Sequence, residues 1–258
     1  MRFKLLLQIY RNISGNLLPL NYQYPLSAWI YGIIAKSDVA YSTWLHDNGF
    51  SSVDSSKHFK LFTFSNLWFA DAKPLADRLA IFSDTAELQL SFLPEKSTEE
   101  FIKGIFSEKE FSLGDRKSQV RFQVQGIEML PPPVFGVDAR FQTLSPITVS
   151  LQEETGRIAY LSPETDNYGQ LLINNLKEKY RRFYQKPFAG EEAFEFELLS
   201  PPQSKLITIK ANTREETRVR GYHCRFRLRA DEELLRIMYS SGAGEKGSLG
   251  FGMVKIIH

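Results

Sequence analysis

A single cysteine, Cys224, stands among 258 residues. That scarcity excludes an internal disulfide and any cluster of thiolate ligands. Histidine is almost as rare, and His46, His58, His223 and His258 show no metal-ligand spacing, which disfavours metal catalysis and calls for no cofactor. No apolar run approaches the ~18 residues needed to cross a bilayer, and the opening Met1-Arg2-Phe3-Lys4 leads into a short alternating segment with no signal-peptide core. A cytoplasmic location without a membrane partner is expected. Charge of one sign is lacking too: 32 Lys and Arg against 30 Asp and Glu leave a net +2. Nucleic-acid affinity must therefore come from local clustering and not from the field of the whole molecule. What is present, 43% hydrophobic and 24% charged residues, describes a folded chain with room for one large domain or two ordinary ones.

Periodicity then orders the chain. Phe3, Leu5, Leu7 and Ile9 alternate with Arg2, Lys4 and Gln8, predicting a half-buried first strand. Pro25 opens a helix whose apolar face is Leu26, Ile30, Ile33 and Ile34, with Tyr31 beside the stripe. Asp38 caps a second helix that buries Trp44 and Leu45 and stops at Asp47-Asn48-Gly49. His46 sits in its last turn, where the negative end of the helix dipole favours a charged imidazolium. A strand from Phe59 to Ser65, strands around 78–82 and 86–92, a helix over 98–107 and a strand near 120–129 complete a β-α-β-β-α-β order. That order predicts a ferredoxin-like, RRM-like fold of the α+β class, with two helices in the first crossover.

Pro131-Pro132-Pro133 removes ladder donors and stiffens the chain, which predicts two tandem domains at 1–130 and 131–258. The second half repeats the plan: strands at 141–151 and 158–161, a helix from Asn167 to Tyr184, strands at 193–199, 206–210 and 222–230, a helix begun by Asp231, and a last strand after Phe251.

Two stretches of this half suit an anion. Five glycines fall within Gly242-Ala243-Gly244-Glu245-Lys246-Gly247-Ser248-Leu249-Gly250-Phe251-Gly252, a loop whose bare backbone can turn N–H groups toward phosphate. Its helix–loop–strand order fits neither a Walker loop nor a dinucleotide fingerprint, both of which run into a helix. Upstream, Arg225, Arg227 and Arg229 alternate with Cys224, Phe226 and Leu228, so three guanidiniums share one strand face. Arg218 and Arg220 extend that basic stretch, whereas Lys177, Lys179, Arg181 and Arg182 on the long helix read as a solvated face.

The chain resembles the RAMP superfamily of CRISPR-associated proteins, and within it the precursor CRISPR RNA endoribonucleases. The likeness rests on Met-Arg-Phe at the start, Leu-Pro-Leu-Asn-Tyr-Gln-Tyr-Pro-Leu at 18–26, Ile-Tyr at 30–31, Leu-His at 45–46, Lys-Leu-Phe-Thr-Phe-Ser at 60–65, Leu-Ser-Pro-Ile at 144–147, and the glycine loop. The resemblance implies a metal-independent endoribonuclease that leaves a 2′,3′-cyclic phosphate and a 5′-hydroxyl. It puts the histidine at His46, the helix tyrosine at Tyr31 and the lysine at Lys60, all in the first domain. A longer loop before Lys60 also holds Lys57 and His58, so Lys57 is a second candidate for the lysine. RNA-binding candidates are Arg225, Arg227, Arg229, Gly242, Gly244, Lys246, Gly250 and Gly252. The implied partner is CRISPR repeat RNA, with other CRISPR effector proteins and a second copy of the chain as further candidates. The rival expectation is a catalytically silent subunit that holds repeat RNA.

Overall fold

The computed structural model describes residues 1–52, 55–190, 193–211 and 213–257. Strand Arg2–Ile9 runs through the middle of the first sheet, with Thr85–Phe92 on one side and Gln119–Leu130 on the other, both antiparallel to it. Phe3, Leu5, Leu7 and Ile9 are buried, and Leu5 pairs with Leu88 as the alternation requires. The sheet order is Glu110–Gly114, Gln119–Leu130, Arg2–Ile9, Thr85–Phe92, Phe62–Phe64.

The helices are α1 (Arg11–Ser14), α2 (Gln23–Ser37), α3 (Val39–Asp47), α4 (Glu95–Ser107), α5 (Tyr168–Tyr184) and α6 (Glu232–Ser241). Residues of α2 and α4 join the first sheet in one core: Leu26, Ile30, Ile33 and Ile34 from α2 with Phe101 and Ile105 from α4. The two helices touch so closely that a Cβ on Gly104 would stand 1.9 Å from the Ile33 carbonyl oxygen. Asp38 caps α3, accepting from the Tyr41 N–H at 2.8 Å.

The second sheet is ordered Val254–Ile257, Asp138–Thr143, Arg225–Arg229, Glu195–Leu198. Counted by position in the chain, both halves place strands fourth, first, third, second, with Glu110–Gly114 added outside the first sheet. This is the doubled ferredoxin-like plan that strand order alone predicted. Phe141, Phe226, Leu228 and Val254 form the second core with Leu172, Leu176, Leu235 and Met238 of α5 and α6.

Several expectations are corrected. The stretch 59–65 is not one strand: Ser55–Phe59 hairpins with Phe50–Ser52, and Phe62–Phe64 joins the main sheet. The break is Leu61 at φ 53, a conformation that costs a bulky residue energy and turns the chain between the two strands. Arg78–Ile81 pairs with Leu17–Pro19 and Ala72–Leu75, outside the main sheet. Likewise Gln203–Ile209 and Thr217–His223 make a separate hairpin whose Ile207, Ile209 and Val219 pack on Phe251. Trp44, expected in the core, is exposed, while Leu45 is buried. The basic residues of α5 are not a uniformly solvated face, since Lys179 and Arg182 are buried.

Arg2 ties the two halves together. Its guanidinium donates to Val254 O at 2.7 Å and Tyr239 O at 2.5 Å and stacks over the Tyr239 ring. Burial pushes its pKa down to about 10. Replacing Arg2 by alanine is expected to cost about 3 kcal/mol, because it orphans buried carbonyls and empties a packed site. Urea unfolding measures the loss; a change below about 0.5 kcal/mol, the range of an ordinary surface substitution, would refute this account of the joint.

Candidate active site

His46 leaves the last turn of α3 exposed, with 66% of its side chain accessible. Its Nδ1 lies 2.8 Å from Asp47 Oδ1. A carboxylate only accepts, so Nδ1 carries the proton and Nε2 is the ring nitrogen left able to accept. The Tyr31 ring on α2 meets the imidazole edge to face at 5.1 Å. Burial raises the Tyr31 phenol above its ordinary pKa, with a hydrogen bond to the Ser248 side chain partly opposing that rise. It is therefore a neutral O–H at working pH, able to donate a hydrogen bond but not to serve as a base.

Lys60 reaches the same corner from the break before Leu61, donating from Nζ to His46 O. Partial burial lowers its pKa, with Asp47 opposing. Gly49 makes the approach feasible: it sits at φ +57, and a Cβ there would lie 2.9 Å from Lys60 Cδ and 2.6 Å from Phe59 O. The Lys57 alternative falls on a side chain outside the described ones.

The glycine loop comes in from the second half. Ser27, one turn before Tyr31 on α2, donates to Ser248 O at 2.6 Å, and Thr63 Oγ1 donates to Phe251 O at 2.8 Å. A cleft of about 450 Å³ opens between the halves, lined by His58, Lys60, Lys179, Lys246 and the loop from Gly244 to Leu249. Gly242, Gly250 and Gly252 take positive φ against protein: Cβ atoms would stand 3.1 Å from Thr63 Cβ, 2.6 Å from the Phe64 ring and 2.1 Å from Ala243 O respectively. Gly244, also at positive φ, packs against Thr148 O. Those glycines serve close packing. The anion-ready backbone is instead Lys246 in the left-handed region followed by the 3-10 turn Gly247–Leu249. Among the described residues the amides of Lys246, Gly247 and Ser248 make no backbone hydrogen bond outside this turn, and all three residues line the cleft, a turn conformation that suits an anion.

The three arginines are not at this cleft. Arg227 lies beside Asp138, donating from Nη2 at 2.6 Å, with Glu195 and Glu197 also within ion-pair range. Arg225 and Arg229 are exposed on the same sheet face. The pairing strands supply those acids, which the alternation of one strand could not reveal.

Family models match both halves: "CRISPR-associated protein Cas6, N-terminal" over residues 17–128 and "CRISPR associated protein Cas6, C-terminal" over residues 130–256. The chain belongs to the Cas6 family. A "CRISPR-associated endoribonuclease Cas6 1" of Methanocaldococcus jannaschii is 30% identical over 92% of this chain and 86% of its own. A "CRISPR-associated endoribonuclease Cas6" of Pyrococcus furiosus is also 30% identical, over 93% of this chain and 83% of its own. A solved structure described as "An RAMP protein binding different RNA substrates" superposes with a TM-score of 0.84 at 25% identity, covering all of both chains.

Within this Cas6 chain, the residues that sequence reading passed over are the supporting ones. Ser27 and Ser248 join α2 to the loop, Gly49 clears the way for Lys60, and His58 lines the cleft with Nδ1 2.7 Å from Asn48 O. The i, i+4 spacing of Ser27 and Tyr31 was visible, but not what faced it. Gly49→Ala is expected to lower the melting temperature, since its Cβ at φ +57 also meets Phe59 O, and to slow RNA cleavage by the folded protein about 10-fold through displacement of Lys60, with RNA affinity unchanged within twofold. Single-turnover kinetics beside equilibrium binding check this; a glycine that serves packing alone would spare the rate.

Proposed function

We propose that this protein is an endoribonuclease that cuts precursor CRISPR RNA within its repeats. The 2′-hydroxyl beside the scissile phosphate attacks, leaving a 2′,3′-cyclic phosphate and a 5′-hydroxyl. The observation that carries the reading is the convergence of Tyr31 and Lys60 on His46, with Lys60 also lining a cleft that the loop from Gly244 to Leu249 shares. The names of the relatives, both endoribonucleases, and of the RNA-binding structural neighbour support it.

The chemistry divides among three groups. His46 Nε2 takes or returns a proton, as acid or base. Tyr31 orients the 2′-hydroxyl or its partner imidazole. Lys60 meets the charge that grows on the phosphorane, where a fixed cation is worth more than in water. The turn at Lys246–Ser248 and the exposed Arg225 and Arg229 hold the strand through phosphate and give binding its salt dependence. These side chains cover every proton and charge that the transfer requires, so cleavage proceeds without metal.

The test is repeat RNA incubated in EDTA, compared with the same RNA carrying one 2′-deoxy nucleotide at the cut. Cleavage of the first and none of the second is expected. Cutting of the deoxy substrate, or dependence on added magnesium, would remove the mechanism. Binding without cutting of either RNA would identify the silent subunit.

A further inference from the structure

Helix α5 turns a polar seam toward the cleft. Asn175 and Lys179, one turn apart, both line it, and Arg182 follows at the next turn. Lys179 is 4% exposed and Arg182 2%. Nζ of Lys179 donates to Gly242 O at 2.6 Å and Ser241 O at 3.4 Å, the carbonyls that end α6 and begin the glycine loop. An ammonium has three N–H groups, so capping α6 leaves one unused. The carboxylate that acts on it, Glu245, is engaged by the N–H and hydroxyl of Ser150. Burial pushes the Lys179 pKa down to about 7. Next to it, Asn175 Oδ1 is buried with no hydrogen-bond partner among the described residues, as are Nε and Nη1 of Arg182. A cap explains the two carbonyl contacts but neither the spare N–H nor the orphaned amide oxygen, and each unmet buried group destabilises the empty cleft.

We propose that Asn175 and Lys179 form an RNA-backbone subsite in this cleft, the ammonium on a phosphate oxygen and Asn175 Oδ1 accepting a ribose 2′-hydroxyl. The phosphate is shared with the amides of Lys246, Gly247 and Ser248, and Lys179 holds that loop by its first carbonyls while it binds. The inference rests on the RNA-binding reading above and adds to it the residues that tell ribose from deoxyribose.

The experiment uses repeat RNA made uncleavable by a 2′-deoxy nucleotide at the cut, titrated across roughly 50 to 400 mM KCl. Lys179→Gln is expected to weaken binding about 10-fold at 0.1 M salt and to lower the salt slope by about one, whereas Lys179→Arg keeps the slope. At pH 8 the wild type is expected to take up more proton on binding than either variant, read from calorimetry in buffers of different ionisation enthalpy. That readout separates a phosphate ligand from a helix cap. Asn175→Leu, which removes no charge, is expected to cost about 10-fold against RNA and nothing against DNA of the same sequence, and it stands if Lys179→Gln fails to fold. A folded Lys179→Gln with unchanged slope, or a folded Asn175→Leu with unchanged RNA-over-DNA preference, would overturn the subsite alone. A wild type with no salt-dependent RNA affinity would overturn the RNA reading and the subsite together.

Discussion

His46→Ala is expected to slow cleavage of repeat RNA by about 10³-fold, with RNA affinity and melting temperature nearly unchanged. The imidazole is exposed and its hydrogen-bond partner is the neighbouring Asp47, so its removal opens no buried cavity and costs only the edge-to-face contact with Tyr31. In the proposed mechanism what disappears is a proton-transfer group, and such groups contribute about 10²- to 10⁴-fold. Lys60 still finds the His46 backbone carbonyl, which the substitution leaves in place. Single-turnover assays in EDTA, with filter binding and a melting curve on the same preparations, separate the terms. A variant that cuts within threefold of wild type would dismiss His46 as a catalytic residue. A variant that no longer binds RNA would make it a binding residue instead.

Gly252→Ala is expected to destabilise the fold by about 4 kcal/mol, with lost RNA binding only as a consequence. The residue sits at φ +79, and a Cβ would stand 2.1 Å from Ala243 O and 2.9 Å from Ala243 N. Those are backbone atoms that cannot rotate away. Strain at such a φ costs about 1–3 kcal/mol and overpacking about 1–3 more. Its own N–H donates to Pro146 O and its carbonyl accepts from Ala243, so shifting the loop breaks both bonds. Denaturant unfolding reads the loss directly. If the variant instead unfolds like wild type but binds RNA poorly, the glycine serves the ligand and not the packing.

The glycine stretch shows how far composition alone carries. Five glycines in eleven residues announce a tight, bare backbone. They do not say which backs lie against Phe64 and Thr148 and which amides stay open, because that depends on strands far away in the chain. The arginine strand makes the same point with charge: its alternation was legible, but Asp138 and Glu197 arrive on neighbouring strands and engage Arg227. On α5, lysine and arginine at helical spacing read as a wet face until the fold buries Lys179 against the carbonyls that end α6 and buries Arg182 beside it.

Local rules, acting over a few residues, determined what the chain could settle alone. Alternation of Phe3 to Ile9, the Asp38 and Asp231 caps, the order of strands and helices in each half, and His46 in the last turn of α3 all follow from near neighbours. Tertiary structure decided the rest: that Tyr31 meets Ser248, that Lys60 meets the His46 carbonyl beside a strand broken at Leu61, and that a cleft with unmet polar groups opens between the halves. Contacts between residues about two hundred positions apart leave no period in a sequence, since hydrogen bonding and burial depend on what the fold brings alongside and not on what precedes it.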